Sequence, residues 1–226
     1  MVTSEGGKLG RVKKQSEIDD HKSKNITIYV DESGNGNANI KADYRLHAFE
    51  EMMGFVHFMS REDQINLLTR NLQVPKAQIS NLQIRLNEQE NPDLHLVYDA
   101  QIERIANKSG NRLYVPFSLL QPVLAPIKSA ERLQDIMIHG AIQRTDTLCF
   151  TIPQGFHPES IPGSARLSSM FGDCSTDIQW EENRLRIIQH INIRKGRYPA
   201  STVEEFKKFF KNMETEWNRR AVFVQK

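Results

Sequence analysis

Gly172-Asp173-Cys174 is the triplet in this 226-residue chain with the clearest chemical potential. A cysteine after Gly-Asp can be the nucleophile of a papain- or transglutaminase-type enzyme. Such a thiol needs a histidine to take its proton and usually an Asp or Asn to orient that histidine. It also favours a helix N-terminus, which lowers the thiol pKa. Cys174 runs instead into TDIQWEEN and RLRIIQHINIR, the pattern of a hairpin; the only later histidine, His190, lies on a strand, and no aspartate follows Asp177. Catalysis by Cys174 is therefore ranked behind two non-catalytic readings. The other cysteine, Cys149, is a possible disulfide partner for Cys174. Leu148, Phe150 and Ile152 share a strand face, however, which turns Cys149 to the opposite side and leaves the pairing open.

Other candidate chemistry gives way to structural readings. IYVDESGN (28–35) resembles a strand ending in metal-binding carboxylates, but two-metal chemistry needs further acids on adjacent strands. The Gly34-Asn35-Gly36 bend leads into an alternating strand, so a hairpin turn is expected. The same Gly-x-Gly is no phosphate loop, because no helix follows it. None of the seven histidines has another at zinc-finger spacing. His157 and Glu159 read as a solvated, Pro-flanked loop. Trp180 and Trp217 could stack on a sugar but fit core stripes better. Arg184, Arg186, Arg194, Lys195 and Arg197 read as the wet face of a strand and its turn. No catalytic, cofactor-binding or metal residue is expected.

Composition sets the frame. Hydrophobic residues make up 38% and charged residues 26%, ordinary for a globular domain able to bury a core. Thirty basic against twenty-eight acidic residues give a net charge of +2. That balance argues against a nucleic-acid partner, and no apolar run approaches the ~20 residues of a membrane helix. Met1–Lys14 has no apolar core of a signal peptide, which leaves either a cytoplasmic chain or a piece of a longer secreted protein.

The elements that would position these residues are mostly strands. Residues 1–25 are charged, have little to bury, and are expected to form a linker or arm; 26–226 are expected to form one domain. ITIYV (26–30), the DESGNG turn and ANIKADYRL (38–46) predict a hairpin by period-two alternation. A helical interlude follows, with Ser60 and Asp63 as a capping box and Ile65, Leu68 and Leu72 on one face before Pro75. Alternation returns at Leu82–Leu86, Leu94–Ile102 and Leu113–Phe117. Residues 118–130 hold Pro122 and Pro126 and read as a crossing loop. Strands are expected near Leu133–His139, Thr145–Ile152, Asp177–Glu181 and Leu185–Arg194. Ser201 and Glu204 suggest a second capping box, opening a helix with Phe206, Phe209, Phe210, Met213 and Trp217 on its buried stripe. AVFV (221–224) is the last strand. Together these predict a mainly β fold: an antiparallel β-sandwich of jelly-roll type with one or two inserted helices and a C-terminal amphipathic helix.

From about Gly7 onward the segments GGKLGRV, ITIYVDESGNGNANIKADY, QINLLTRNLQVPKAQISNLQI, KSGNRLYVPF, TLCFTIPQGFHPESIP and FGDCSTDIQWEENRLRIIQHINIRKGRYPASTVEEFKKFF follow one another in a specific order. In that order they resemble the C-terminal β-sandwich region of large bacterial envelope proteins with a transglutaminase-like core. The resemblance implies a jelly-roll-like accessory module. It also implies that the catalytic Cys, His and Asp lie in a domain upstream, so that no catalytic residue transfers to this sequence. The expected function is a non-catalytic module that packs on or positions a transglutaminase-like domain or another envelope protein, periplasmic or secreted with its parent. The alternative is a carbohydrate- or cell-wall-binding sandwich.

Overall fold

A computed structural model describes residues 2–3, 6–7, 21–89, 91–119 and 134–226. In chain order the elements are β1 (Val2–Thr3), β2 (Gly6–Gly7), β3 (Lys22–Val30), β4 (Gly36–Arg45), α1 (His47–His57), α2 (Arg61–Asn71), β5 (Lys76–Asn87), β6 (Asp93–Glu103), β7 (Asn107–Ser109) and β8 (Arg112–Pro116). They continue with β9 (Ile136–Ile138), β10 (Ile142–Thr151), β11 (Phe156–Ser160), β12 (Ala165–Ser169), β13 (Gly172–Glu181), β14 (Arg184–Ile193), β15 (Gly196–Tyr198), a 3-10 turn (Ala200–Thr202), α3 (Val203–Trp217) and β16 (Arg220–Gln225).

The main layer is an eight-stranded sheet in the order β12-β13-β14-β10-β3-β4-β6-β5. Its ladders are antiparallel except one, because β10 and β3 run parallel, from Arg144 opposite Lys22 to Thr151 opposite Tyr29. Successive residues of a strand point to opposite faces, so alternation of apolar and polar residues gives the sheet an inner and an outer face. Ile26, Ile28, Ile40, Tyr98, Leu148, Phe150, Leu185 and Ile187 bury the inner face. A smaller sheet, β11-β16-β8-β7, contributes Leu113, Val115 and Phe223 to the same core, and helices α1 and α2 add Phe49, Phe55 and Leu68. The fold is thus mainly β and sandwich-like, with two inserted helices and a closing one. Its two layers are unequal, and no barrel closes.

A second core lies under α3. Val203, Phe206, Phe209, Met213 and Trp217 pack with Ile136, Ile138, Phe171, Cys174, Ile191 and Ile193. Phe171 stacks edge-on against Phe206 at 5.1 Å and Tyr198 at 4.8 Å, which gives the Gly-Arg-Tyr-Pro motif a packing role. Trp180 leans on Phe223 at 4.9 Å, and Trp217 is buried, so both tryptophans serve cores.

Several expectations change in detail. β1 and β2, and β3 of the large sheet from Lys22 on, fall inside the stretch expected to be an arm; residue 1, residues 4–5 and 8–20 of that arm, residues 120–130 of the crossing loop and residues 131–133 lie outside the described residues. Ser60 caps α2 as expected, accepting from the Asp63 amide at 3.1 Å. The second capping box does not form. The chain enters α3 through a 3-10 turn in which the Thr202 hydroxyl donates to the Pro199 carbonyl at 2.7 Å, and Glu204 pairs with Lys207 at 2.9 Å. His157 and Glu159 belong to β11, an edge strand that tolerates Pro158, and Glu159 forms a two-bond pair with Arg112. Phe210 is half-buried on the flank of the α3 stripe and lies 4.5 Å from the Phe206 ring.

Phe209→Ala should cost roughly 3–5 kcal/mol, the range for truncating a buried phenylalanine, and Phe210→Ala about half of that or less, as read by denaturant melts. Two glycines should respond with opposite signs. Gly34 has φ +87°, and a Cβ there would sit 2.1 Å from the Ala106 carbonyl oxygen, so Gly34→Ala should destabilise by roughly 2 kcal/mol or more. Gly54 sits exposed inside α1 with open space around it, so Gly54→Ala should stabilise by about 0.5–1 kcal/mol.

Candidate functional site

The residues with chemical potential divide between the two faces of the eight-stranded sheet. On the inner face Cys174 is buried opposite Ile191, while His190 belongs to the outer face, opposite Ser175. The sheet itself stands between thiol and imidazole. Burial, with Glu216 and Asp173 nearby, pushes the Cys174 thiol up to about 11, the reverse of what a nucleophilic thiolate requires. Gly172 of the same triplet has φ +156°, and a Cβ there would meet the Asn192 carbonyl oxygen at 2.1 Å. Asp173 accepts from Ser168 at 2.5 Å and pairs with Arg194. Each member of Gly-Asp-Cys thus has a place in the β12–β13–β14 hairpins.

Both cysteines are free thiols. Cys149 faces outward opposite Arg186 and Cys174 inward opposite Ile191, five positions further along β14. That is a separation of about 17 Å along the strand, far beyond disulfide reach.

The Asp-Glu-Ser-Gly-Asn turn is a closed hydrogen-bonded unit. The Asp31 carboxylate accepts from the Ser33 amide at 2.8 Å, the Asn35 amide at 2.9 Å and the Asn35 side chain at 3.2 Å. Those bonds leave it a turn residue, as the hairpin reading expects. Among the described residues no group of three or more His, Cys, Asp or Glu side chains is placed to hold a metal ion.

Strand register creates what the sequence does not show. Across the outer face one row joins all eight strands: Arg166, Ser175, His190, Thr145, Ser23, Asp43, His95 and Arg85. Within it His190 Nδ1 and Thr145 Oγ1 are 3.1 Å apart. Asp43 accepts from Ser23 at 3.3 Å through one oxygen and meets His95 Nδ1 through the other, while His95 Nε2 is 3.5 Å from Asp93. In a hydrolytic triad the histidine lies between hydroxyl and carboxylate. Here the carboxylate lies in the middle, and among the described residues His95 meets no hydroxyl that it could deprotonate. At the β12 end the row opens into a groove of about 760 Å³ lined by His21, Arg166, Asp173, Ser175, Asp177 and His190, among others.

The inner face has a row of its own, between the two cores: Thr176, Gln189, Asp146 and Lys24. All four are buried. Asp146 pairs with Arg144, two residues back on the same face, and Lys22 neighbours Arg144 across the parallel ladder. Asp146 Oδ1 and Gln189 Nε2 have no hydrogen-bond partner among the described residues. Burial pulls the Lys24 ammonium down from 10.5 to about 7; Asp146 opposes that shift, while Arg144 and Lys22 add to it. Desolvation lowers Lys22 as well.

Residues 111–223, half of the chain, match the family DUF3858, described as a domain of unknown function with a solved structure. The chain belongs to this family. The DUF3858 match covers β8 to most of β16, and with them β12, β13, β14 and β10 of the large sheet. It contains both cysteines and His190, while Ser23, Lys24, Asp43 and His95 lie before it. No curated protein matches the chain.

The inner row makes a pH prediction for this DUF3858 protein. A lysine whose folded pKa lies below its unfolded value binds fewer protons in the native state, so stability should rise as pH climbs from about 7 towards 10.5. The Cys174 thiol, held above its ordinary value of 9.0, begins to oppose that rise near pH 9. Stability measured by urea melts should therefore increase from about pH 7 to about pH 9, and Lys24→Met should flatten the slope. An unchanged slope in Lys24→Met would remove Lys24 as its source.

Proposed function

We propose that the chain is a non-catalytic accessory β-sandwich module that packs on and positions a partner domain within a larger transglutaminase- or cysteine-protease-like protein of the cell envelope. The observation that carries the non-catalytic part is the placement of Gly-Asp-Cys. Its thiol is buried and raised, its glycine and aspartate hold a hairpin, and the neighbouring histidine faces the other side of the sheet. The order of motifs from GGKLGRV to the α3 stripe supports the partner, a transglutaminase-like domain or another envelope protein reached together with the parent chain. A periplasmic or secreted location goes with that reading.

The test is enzymatic. The purified chain, supplied with a glutamine-donor peptide and a primary amine, or with denatured casein as a peptidase substrate, should show only background turnover. Cys174→Ala should give the same background. Amide transfer or peptide hydrolysis that disappears in Cys174→Ala would replace the accessory reading with a thiol enzyme.

A further inference from the structure

Six residues beyond His190's partner Thr145, at the other end of β10 and β3, the outer face carries a second row: Thr151, Tyr29, Asn37, Gln101 and Gln78. Bounded by the β3–β4 turn at one end and by Lys76 and Glu103 at the other, part of this row lines a groove of about 390 Å³. Tyr29 is 61% exposed there, the one large aromatic presented to solvent on this face among the described residues. A phenol ring on a strand is rigid and amphipathic, and its open face takes up the apolar side of a ring-shaped polar molecule.

The polar groups beside it are uncommitted. Nearby amides are engaged: Asn39 and Asn81 both donate to Asp99 at 2.8 Å, and Asn35 donates to Asp31. Asn37, Gln78 and Gln101 make no side-chain hydrogen bond to any described residue. Each amide both donates and accepts, as hydroxyl groups do. The charges at the rim are compensated, because Lys76 Nζ sits 2.5 Å from Glu103 Oε1 and the Asp31 carboxylate is taken up by its own turn. The strands beneath Tyr29, Asn37 and Gln101 have neighbours on both sides, so an extended peptide finds an open ladder only along β5, at the Gln78 rim and away from the Tyr29 ring. A ligand in this groove meets one aromatic platform, three free amides and no unpaired charge.

We propose that the groove is a binding site for a neutral oligosaccharide, with Tyr29 as stacking platform and Asn37, Gln78 and Gln101 as the hydrogen-bonding set. This goes beyond the accessory role and does not rest on it. The probes are the tetrasaccharide of N-acetylglucosamine and cellotetraose, titrated into the isotope-labelled full chain by NMR, with tetragalacturonate as the anionic counterpart. Either neutral probe should shift the side-chain amide signals of Asn37, Gln78 and Gln101 saturably. Tyr29→Ala should weaken that binding roughly tenfold or more, and Tyr29→Phe, which keeps the ring, by no more than about twofold. Gln101→Ala should also weaken it. Both sites face solvent, so the melting temperatures of these variants should match the wild type. Three results would each overturn the proposal: no shift from either neutral probe at about 10 mM, affinity unchanged in Tyr29→Ala, or tighter binding of tetragalacturonate than of both neutral sugars.

Discussion

The parallel pairing of β3 with β10 is the constraint on which the rest of the structure depends. It joins Lys22–Tyr29 to Arg144–Thr151 across more than a hundred residues and makes two antiparallel four-stranded halves into one sheet. Parallel neighbours cannot be linked by a tight hairpin, and the intervening chain is long enough to hold β4 to β9 and both inserted helices. Without β3, β10 would be an edge strand bearing fully buried Leu148 and Phe150 next to an open ladder, which is an invitation to aggregate. The DUF3858 match ends its share of the large sheet at this junction. Its strands β12, β13, β14 and β10 are completed by β3, β4, β6 and β5 from the chain before it. The matched half therefore relies on the preceding residues for an intact hydrophobic layer.

The same junction explains why charged residues sit in the middle of a sandwich. Lys24 meets Asp146 only in this register, with Lys22 beside Arg144 one alternation further along. Moving β3 by one residue would turn Lys24 to the outer face, turn Ile26 and Ile28 out with it, and leave buried Asp146 without the lysine opposite. Asp146 would keep Arg144 beside it but lose the second cation; a buried charge short of partners is costly, whereas the full set gives little net stability over an apolar one. The row thus contributes more to choosing the register than to the depth of the native minimum. It also separates the core under the small sheet from the core under α3, so each can pack to its own shape.

How much of this was legible in the sequence follows from what period and capping report. Alternation at Ala38–Leu46, Leu94–Ile102 and Leu185–Ile193 located strands and their buried sides, because a half-buried strand must repeat every two residues. The Ser60 cap, the Asp31 turn and the α3 stripe were legible for similar local reasons. Lys22 and Lys24 misled, since a lysine in a strand is buried only when a distant residue such as Asp146 compensates it, and no local pattern records that. Ser201 and Glu204 had capping-box spacing, yet Pro199 set up a 3-10 turn that used Thr202 instead. Short β12 and β15 were missed because three to five residues carry too little period to stand out from a loop.

The candidate sites were the least legible part, for a geometric reason. Chemistry on a sheet is arranged across strands, while a motif is read along one. Gly-Asp-Cys is contiguous in the chain but is divided by the pleat, with Cys174 facing in and Asp173 facing out. Tyr29, Asn37, Gln101 and Gln78 are scattered over seventy residues and come from four strands, yet the ladder sets them side by side. Tyr29 looked like one aromatic in ITIYV, three of whose five residues are core. Only the register shows that it faces solvent beside three amides that make no side-chain bond to a described residue, the combination from which the proposed recognition surface is argued.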